Sequence, residues 1–469
     1  MVYLPMKLNY LTKSLIKLSL IVKPNRMKHI ITLLLLTLTI SSYSQKKILA
    51  QTEVNITETD KKEIIDSLGK KLEEFYIREN TIQNIKTKID ENYKNGKYKK
   101  SSNPNEFASL LTADLLEISK DLHFSVIYNQ QWVDDQLKSK DAEFKKTIKA
   151  KELAEAKKRN FGFQQTRILE GNVGYLEFTY FHDPVEGSET ATTALQFLSN
   201  TDALIIDLRK NNGGAMEMGQ FLSSYFFYNK DLPLYKYYYY ESGRKKIDRE
   251  MWLLPSVPGN RLADIDIYIL TSGITFSAAE WMSYSLQNLK RVTIIGEQTA
   301  GGAHPVDRKI LTKGFSVNIP IGEVKDPITK LDFEGHGVTP DVVCKSEDAE
   351  NIAHLLALQK LSLKNKDSSS DIDWIIPVIK NRQKPASIDS KILKSYEGKY
   401  GKGQLVYENS NLYFKWNNTV SFLLTPLQQD LFLINGIDDF RIKIIVEKKS
   451  VTGIKRIYQN GQEKVYPKE

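Results

Sequence analysis

At 469 residues the chain is long enough for two or three domains and a substantial core, and its ordinary mix of apolar, aromatic and turn residues excludes a fibrous or disordered protein. The formal charge of +9 looks basic, but six Lys/Arg fall in residues 1–44, which carry no acid, and the rest of the chain holds only +3. No stripe of Lys/Arg interleaved with aromatics occurs there, so no nucleic-acid partner is expected.

From Met27, MKHIITLLLLTLTISSYSQ has a basic start, an 11-residue apolar run from Ile30 to Ile40 and then small polar residues. That is the layout of a secretory signal peptide, with cleavage after Ser44. Residues 1–26 make an unusually long leader, so Met27 is an alternative start. The apolar run is short for a bilayer span, and no cysteine follows the signal region to carry a lipid anchor. The expectation is an exported protein, periplasmic or extracellular, with no stable membrane span after cleavage. The one cysteine, Cys344, excludes an internal disulfide.

Residues 58–133 show apolar residues at three- and four-residue spacing, as in KKEIIDSLGKKLEEFY and NEFASLLTADLLEISKDL, and predict a helical region. The charged stretch 134–160 predicts a solvated helix or linker. Over 161–366 strand-like segments (171–181, 203–210, 264–272, 291–297) alternate with helix-like MEMGQFLSSYFFY and SAAEWMSYSLQNL, which argues for an α/β core. ALIIDLRK and IYILTS are nearly continuous apolar runs, as strands covered on both faces require. A polar helix at 350–366 and a loop with Pro377 and Pro385 follow. Residues 390–469 predict a small all-β domain, with hairpin signals at Asn435-Gly436 and Asn460-Gly461.

The chemistry concentrates in the α/β segment. Ser277 precedes an apolar helix with Glu280 three residues on, a capping-box pattern that by itself favours a plain helix cap. The same strand–turn–helix corner suits a nucleophile, because helix N-terminal amides favour a developing oxyanion. A second turn, Asp207-Leu-Arg-Lys-Asn-Asn-Gly-Gly214, ends another buried-type strand, and its glycines can present backbone N–H groups to a ligand. A hydroxyl nucleophile needs a base. His123, His182, His304, His336 and His354 are candidates, and spacing alone does not choose between them. His304 lies in the glycine-rich loop TAGGAHP.

Taken together, DLHFSV, NVGYLEF, DLRKNNGG, LTSGITFSAAE, IGEQTAGGAHP and FEGHGVTPDV resemble, in order over about residues 60–350, the C-terminal processing (tail-specific) peptidase superfamily. The branch is similar to the one holding the tricorn protease core and the repeats of interphotoreceptor retinoid-binding protein. The resemblance implies a crotonase-like (ClpP-like) α/β core behind an N-terminal helical region, and a serine endopeptidase acting on peptides or unfolded segments. Carried over by motif, it implies Ser277 as nucleophile, His123 as base and Glu334 as the carboxylate that orients the histidine. It places the oxyanion hole at the backbone N–H groups of Gly213 or Gly214 and Ala278.

Two departures bear on mechanism. Where the tail-specific branch carries its dyad lysine, this sequence has Gly302, so a Ser–Lys mechanism is not expected. The 134–160 stretch is also too short for a PDZ domain of about 80–90 residues. No zinc spacing or Walker-type phosphate loop is present, and no cofactor or metal is expected. The alternative is a non-catalytic carrier on the same fold, in which the Tyr-rich stretch 225–241 would line a groove for a hydrophobic ligand or peptide.

Overall fold

The computed structural model describes residues 54–139, 141–228, 231–241, 244–364, 369–416 and 420–469. The expected signal segment, residues 1–44, lies outside the described residues. Three helices open the described chain: α1 (Glu58–Phe75), α2 (Glu79–Lys94) and α3 (Pro104–Ser119). Their buried stripes, including Ile64, Leu68, Leu72, Ile85, Ile89, Phe107 and Leu111, form one cluster. Asn103 caps α3, its Oδ1 accepting from the Asn105 and Glu106 N–H groups at 2.9 and 3.2 Å, with Pro104 in the first turn. The helix ends at Lys120, whose left-handed φ of 59° turns the chain sharply.

Strand β1 (Ser125–Tyr128) follows that turn and pairs antiparallel with a strand at Phe315–Pro320. Phe315, Val317 and Ile319 complete the apolar cluster of the three helices. The N-terminal region is therefore built around a strand supplied from more than 180 residues downstream, a dependence that local periodicity does not reveal. Helices α4 (Gln130–Lys138) and α5 (Ala142–Lys158) occupy the charged stretch, and α5 buries no residue, as a solvated helix should.

The α/β segment runs β2 (Phe163–Leu169), β3 (Val173–Phe178), α6 (Pro184–Phe197), β4 (Ala203–Asp207) and α7 (Met216–Ser223). It continues through β5 (Pro233–Glu241), β6 (Lys245–Trp252), β7 (Asp266–Thr271), α8 (Ala278–Asn288) and β8 (Val292–Gly296). Then come β9 (Val306–Ile310), β10 (Phe315–Pro320), β11 (Gly322–Lys325), β12 (Val342–Val343) and α9 (Ala349–Lys364). Six strands form the main sheet in the order β12-β8-β7-β4-β3-β2, parallel except for β2. β4 is buried along its whole length because α6, α7 and α8 cover one face and α9 the other. Burying side chains such as Leu195, Met218, Trp281 and Leu286 stabilises this layer by about 1.5–3 kcal/mol each. The Tyr-rich segment forms β5, the middle of a β11-β5-β6 sheet.

One expectation is corrected. Where the sequence suggests a loop around Pro377, the chain forms helix α10 (Ser369–Gln383) with the proline inside it. Proline removes a helix hydrogen bond there. Burial of Ile372 and Ile379 against Leu358 and Leu361 of α9 offsets that loss. Arg441 stacks over Trp374 of α10 at 3.7 Å, joining the helix to the C-terminal region. There, after the short helix α11 (Ser390–Ser395), eight strands over Gly398–Pro467 form an antiparallel meander with its own apolar cluster. Among the described residues no helix is long and apolar enough to cross a membrane.

Candidate active site

Adjacent parallel strands β4, β7 and β8 release their carboxyl ends into three turns, 208–215, 272–277 and 297–304, at one edge of the sheet. Such edges are where α/β sheets build sites. The first two turns are tied together. Ser272 Oγ donates to the Arg209 carbonyl at 2.6 Å, Thr275 Oγ1 to the Leu208 carbonyl at 2.8 Å, and the Phe276 N–H to the Asn211 carbonyl at 3.1 Å.

That bracing holds Ser277 at φ 56°, ψ −120°, a conformation disfavoured for any residue with a Cβ. It is the sharp strand-to-helix turn on which hydrolases expose a nucleophile. Glu280, fully buried, accepts the Ser277 N–H at 2.8 Å and so forms one half of the expected capping box. It does more than cap. The same carboxylate accepts the Gly301 and Gly302 N–H groups at 2.6 and 2.9 Å and the Thr299 hydroxyl, pinning the third turn to the serine. Burial pushes the Glu280 carboxyl up, and these donors oppose the rise.

The glycine turn lies hard against the serine. A Cβ on Gly213 would come within 2.7 Å of Ser277 Cβ and 3.0 Å of Ala278 N, so only glycine permits this approach. Gly213 donates its own N–H to Asn211 Oδ1 at 2.9 Å. Of the three backbone donors expected to form an oxyanion hole, Gly214 and Ala278 are the two without such an internal acceptor among the hydrogen bonds described.

Asp121, His123, His304 and Glu334 form a buried cluster of two histidines and two carboxylates. The turn after α3 carries Asp121, whose Oδ1 accepts the His123 backbone N–H at 3.2 Å. Asp121 Oδ2 is 2.7 Å from His304 Nδ1, and Glu334 Oε2 lies 3.7 Å from the same nitrogen while accepting the Ala303 N–H at 2.7 Å. The His123 ring packs on Phe276, the residue before the serine, with centroids 4.5 Å apart. Both of its nitrogens are buried without a hydrogen-bond partner, and its Nδ1 is 3.8 Å from Asp121, beyond hydrogen-bond range. Glu334 Oε1 is also unpartnered.

The electrostatics follow from this packing. Burial alone would raise the Asp121 carboxyl, but contact with both histidines outweighs it and holds the group well below the usual carboxylate range. Burial alone would lower His304, yet the hydrogen bond to Asp121 and the charges of Asp121 and Glu334 raise it. Burial raises the Glu334 carboxyl, with His304 opposing. Asp121, His304 and Glu334 bring potential ligand atoms within 4.8 Å of one another. The 2.7 Å contact joins His304 Nδ1 and Asp121 Oδ2 directly by a hydrogen bond.

A cavity of ≈ 380 Å³ is lined by Ser277, Gly214, His304, Tyr237, Tyr239 and Trp281. A half-buried serine on a strained elbow, sharing a cavity with Gly214 and a buried histidine, has the parts for acyl transfer. Residues 172–344 match the model of peptidase family S41, and residues 49–160 match the N-terminal domain of peptidase S41 in eukaryotic IRBP. The chain belongs to peptidase family S41.

Within that family, the carboxy-terminal-processing protease of Bartonella bacilliformis is 26% identical over 179 residues, which span 37% of this chain and 39% of that relative. Among solved structures, the photosystem II D1 C-terminal processing protease is 22% identical, covering 39% of this chain and 46% of its own, with a TM-score of 0.32. A lipoprotein from Streptococcus agalactiae is 17% identical over 64% of this chain and 96% of its own, with a TM-score of 0.43.

His123, from the N-terminal region, packs on Phe276 beside Ser277, and Glu334 lies near His304; no hydrogen bond joins His123 to Ser277 or to Glu334. The position where relatives with a dyad carry lysine is closed. A Cβ on Gly302 would lie 2.1 Å from Phe276 Cε2 and 2.8 Å from His123 Cε1, so the Phe276 ring, with His123 beside it, occupies the space that a residue-302 side chain would need. The other candidate bases are engaged elsewhere: His182 with Glu186, His354 with the Glu170 carbonyl and His336 with the Glu334 carbonyl. Sequence reasoning assigned no role to Asp121, although it stands in the D-x-H motif, and read Glu280 only as a cap.

Proposed function

We propose that the protein is an exported serine endopeptidase that cleaves peptides or unfolded polypeptide segments through an acyl-enzyme. The observation that carries this is Ser277 at φ 56° on the β7–α8 elbow, lining a cavity with Gly214 and His304. Ser277 Oγ attacks the scissile carbonyl while His123 takes its proton, and Glu334 stabilises the imidazolium that results. The Gly214 and Ala278 N–H groups receive the oxyanion, where each well-placed donor is worth about 3–4 kcal/mol. Water then attacks the acyl-enzyme and releases the second product.

Export rests on residues 1–44, and N-terminal sequencing of the secreted protein tests it, with Gln45 as the expected first residue. A carrier function would use the same cavity and its aromatic wall. Neither the strained serine backbone nor a buried histidine–carboxylate cluster serves a carrier, so the enzymatic reading is favoured. The test is Ser277→Ala against wild type with fluorescein-labelled casein and a fluorophosphonate probe. Loss of both hydrolysis and labelling is expected; hydrolysis and labelling at wild-type levels would remove Ser277 as the nucleophile.

A further inference from the structure

The two buried histidines sit in different surroundings. His304 faces two carboxylates through one nitrogen: Asp121 Oδ2 at 2.7 Å and Glu334 Oε2 at 3.7 Å. With Nδ1 committed to Asp121, Nε2 is the nitrogen left for the cavity that His304 shares with Ser277. His123 has no hydrogen-bonded acceptor on either nitrogen and lies on the apolar face of Phe276. One ring is thus hydrogen-bonded to a carboxylate, and the other packs on an aromatic ring with no acceptor. Two histidines with such different partners can divide the acid and base roles between them.

We propose that His304, fixed by Asp121, is the general acid that protonates the leaving amine, while His123 is the base that activates Ser277. This rests on the nucleophile reading above. In acylation the Ser277 proton passes to His123 as the Oγ–C bond forms. The C–N bond breaks as His304 Nε2–H gives its proton to the amine. The site is left with charged His123 and neutral His304. In deacylation His304 takes a proton from water as the new O–C bond forms, and the acyl C–Oγ bond breaks as His123 returns its proton to Ser277 Oγ. Both histidines end as they began, so the cycle closes with no transfer between them. Asp121 acts through His304 and is a positioning residue. Arg78 also bears on His304, opposing its charge.

The experiment separates leaving groups that need a proton from those that do not. A fluorophosphonate expels fluoride, whereas casein hydrolysis must expel an amine. His304→Gln is expected to lower casein turnover by about 100-fold or more, within the range for general acid–base catalysis, while the labelling rate falls no more than about 5-fold. His123→Gln is expected to abolish both. Asp121→Asn, with folding checked by thermal melting, removes the hydrogen-bonded carboxylate that raises His304, so the alkaline limb of casein turnover moves to lower pH. This second variant decides the matter if His304→Gln does not fold. Equal losses of labelling and turnover in His304→Gln, unchanged turnover, or an unmoved alkaline limb in Asp121→Asn would each overturn the assignment. Failure of the nucleophile reading is distinct: Ser277→Ala would still label.

Discussion

The same four-residue pattern occurs at two helix starts with opposite outcomes. At α1, Thr57 has an extended backbone (φ −83°, ψ 168°), its N–H donates to Asp60 Oδ2 at 2.9 Å, and its Oγ1 accepts the Asp60 N–H at 3.1 Å. Thr57 is exposed, and the only reach of this box beyond its own helix among the described contacts is an ion pair from half-buried Asp60 to Lys313 at 2.8 Å. At α8, Ser277 has φ 56° and its partner Glu280 is buried, with donors from three positions of the 299–302 loop. The local motif is shared. What differs is the tertiary contact: only the second box is pressed against a glycine turn and a histidine. A capping box therefore becomes a candidate catalytic elbow through what packs on it, and each difference can be removed in turn.

The largest effect is expected at the serine itself: Ser277→Ala should reduce casein hydrolysis to background while circular dichroism stays unchanged. Glu280→Gln comes next. Its amide presents donors to N–H groups that need an acceptor, so stability should fall by about 1–3 kcal/mol in chemical denaturation, and turnover should fall with it as the loop loosens. Gly302→Ala puts a methyl group into Phe276 and His123. Displacing a catalytic group by about 1 Å costs up to about 100-fold, so a fall in kcat/KM of at least about tenfold is expected, with smaller loss of stability.

A pH scan sharpens the contrast further. Asp121 is depressed in the folded protein, so its contribution to stability is present above the unfolded value near about 3.9 and is lost as pH falls below it. Wild type should lose stability relative to Asp121→Asn between about pH 5 and 2, read as converging melting temperatures. The smallest effect belongs to the surface box. Thr57→Ala should lower stability by about 0.5–2 kcal/mol and leave turnover unchanged; a loss of turnover there would break the comparison.

Much of the core was legible because local pattern and tertiary role agree. The apolar runs at 203–210 and 264–272 contain buried parallel strands, and the turns expected to carry chemistry follow them. Asn435-Gly436 is a two-residue hairpin turn with Gly436 at φ 88°. What escaped depends on distance along the chain. The Asp121–His304 bond spans 183 residues, and no periodicity couples them. The strand at 315–320 that completes the N-terminal cluster is equally remote. Pro377 misled for a different reason: a local helix breaker was overruled by burial of Ile372 and Ile379.

The central claim is that the α8 box holds a nucleophile and the α1 box does not. Peptide mapping by mass spectrometry after fluorophosphonate treatment tests it most directly. One adduct is expected, on Ser277. An adduct on another residue, or an unlabelled protein that still cleaves casein, would contradict it.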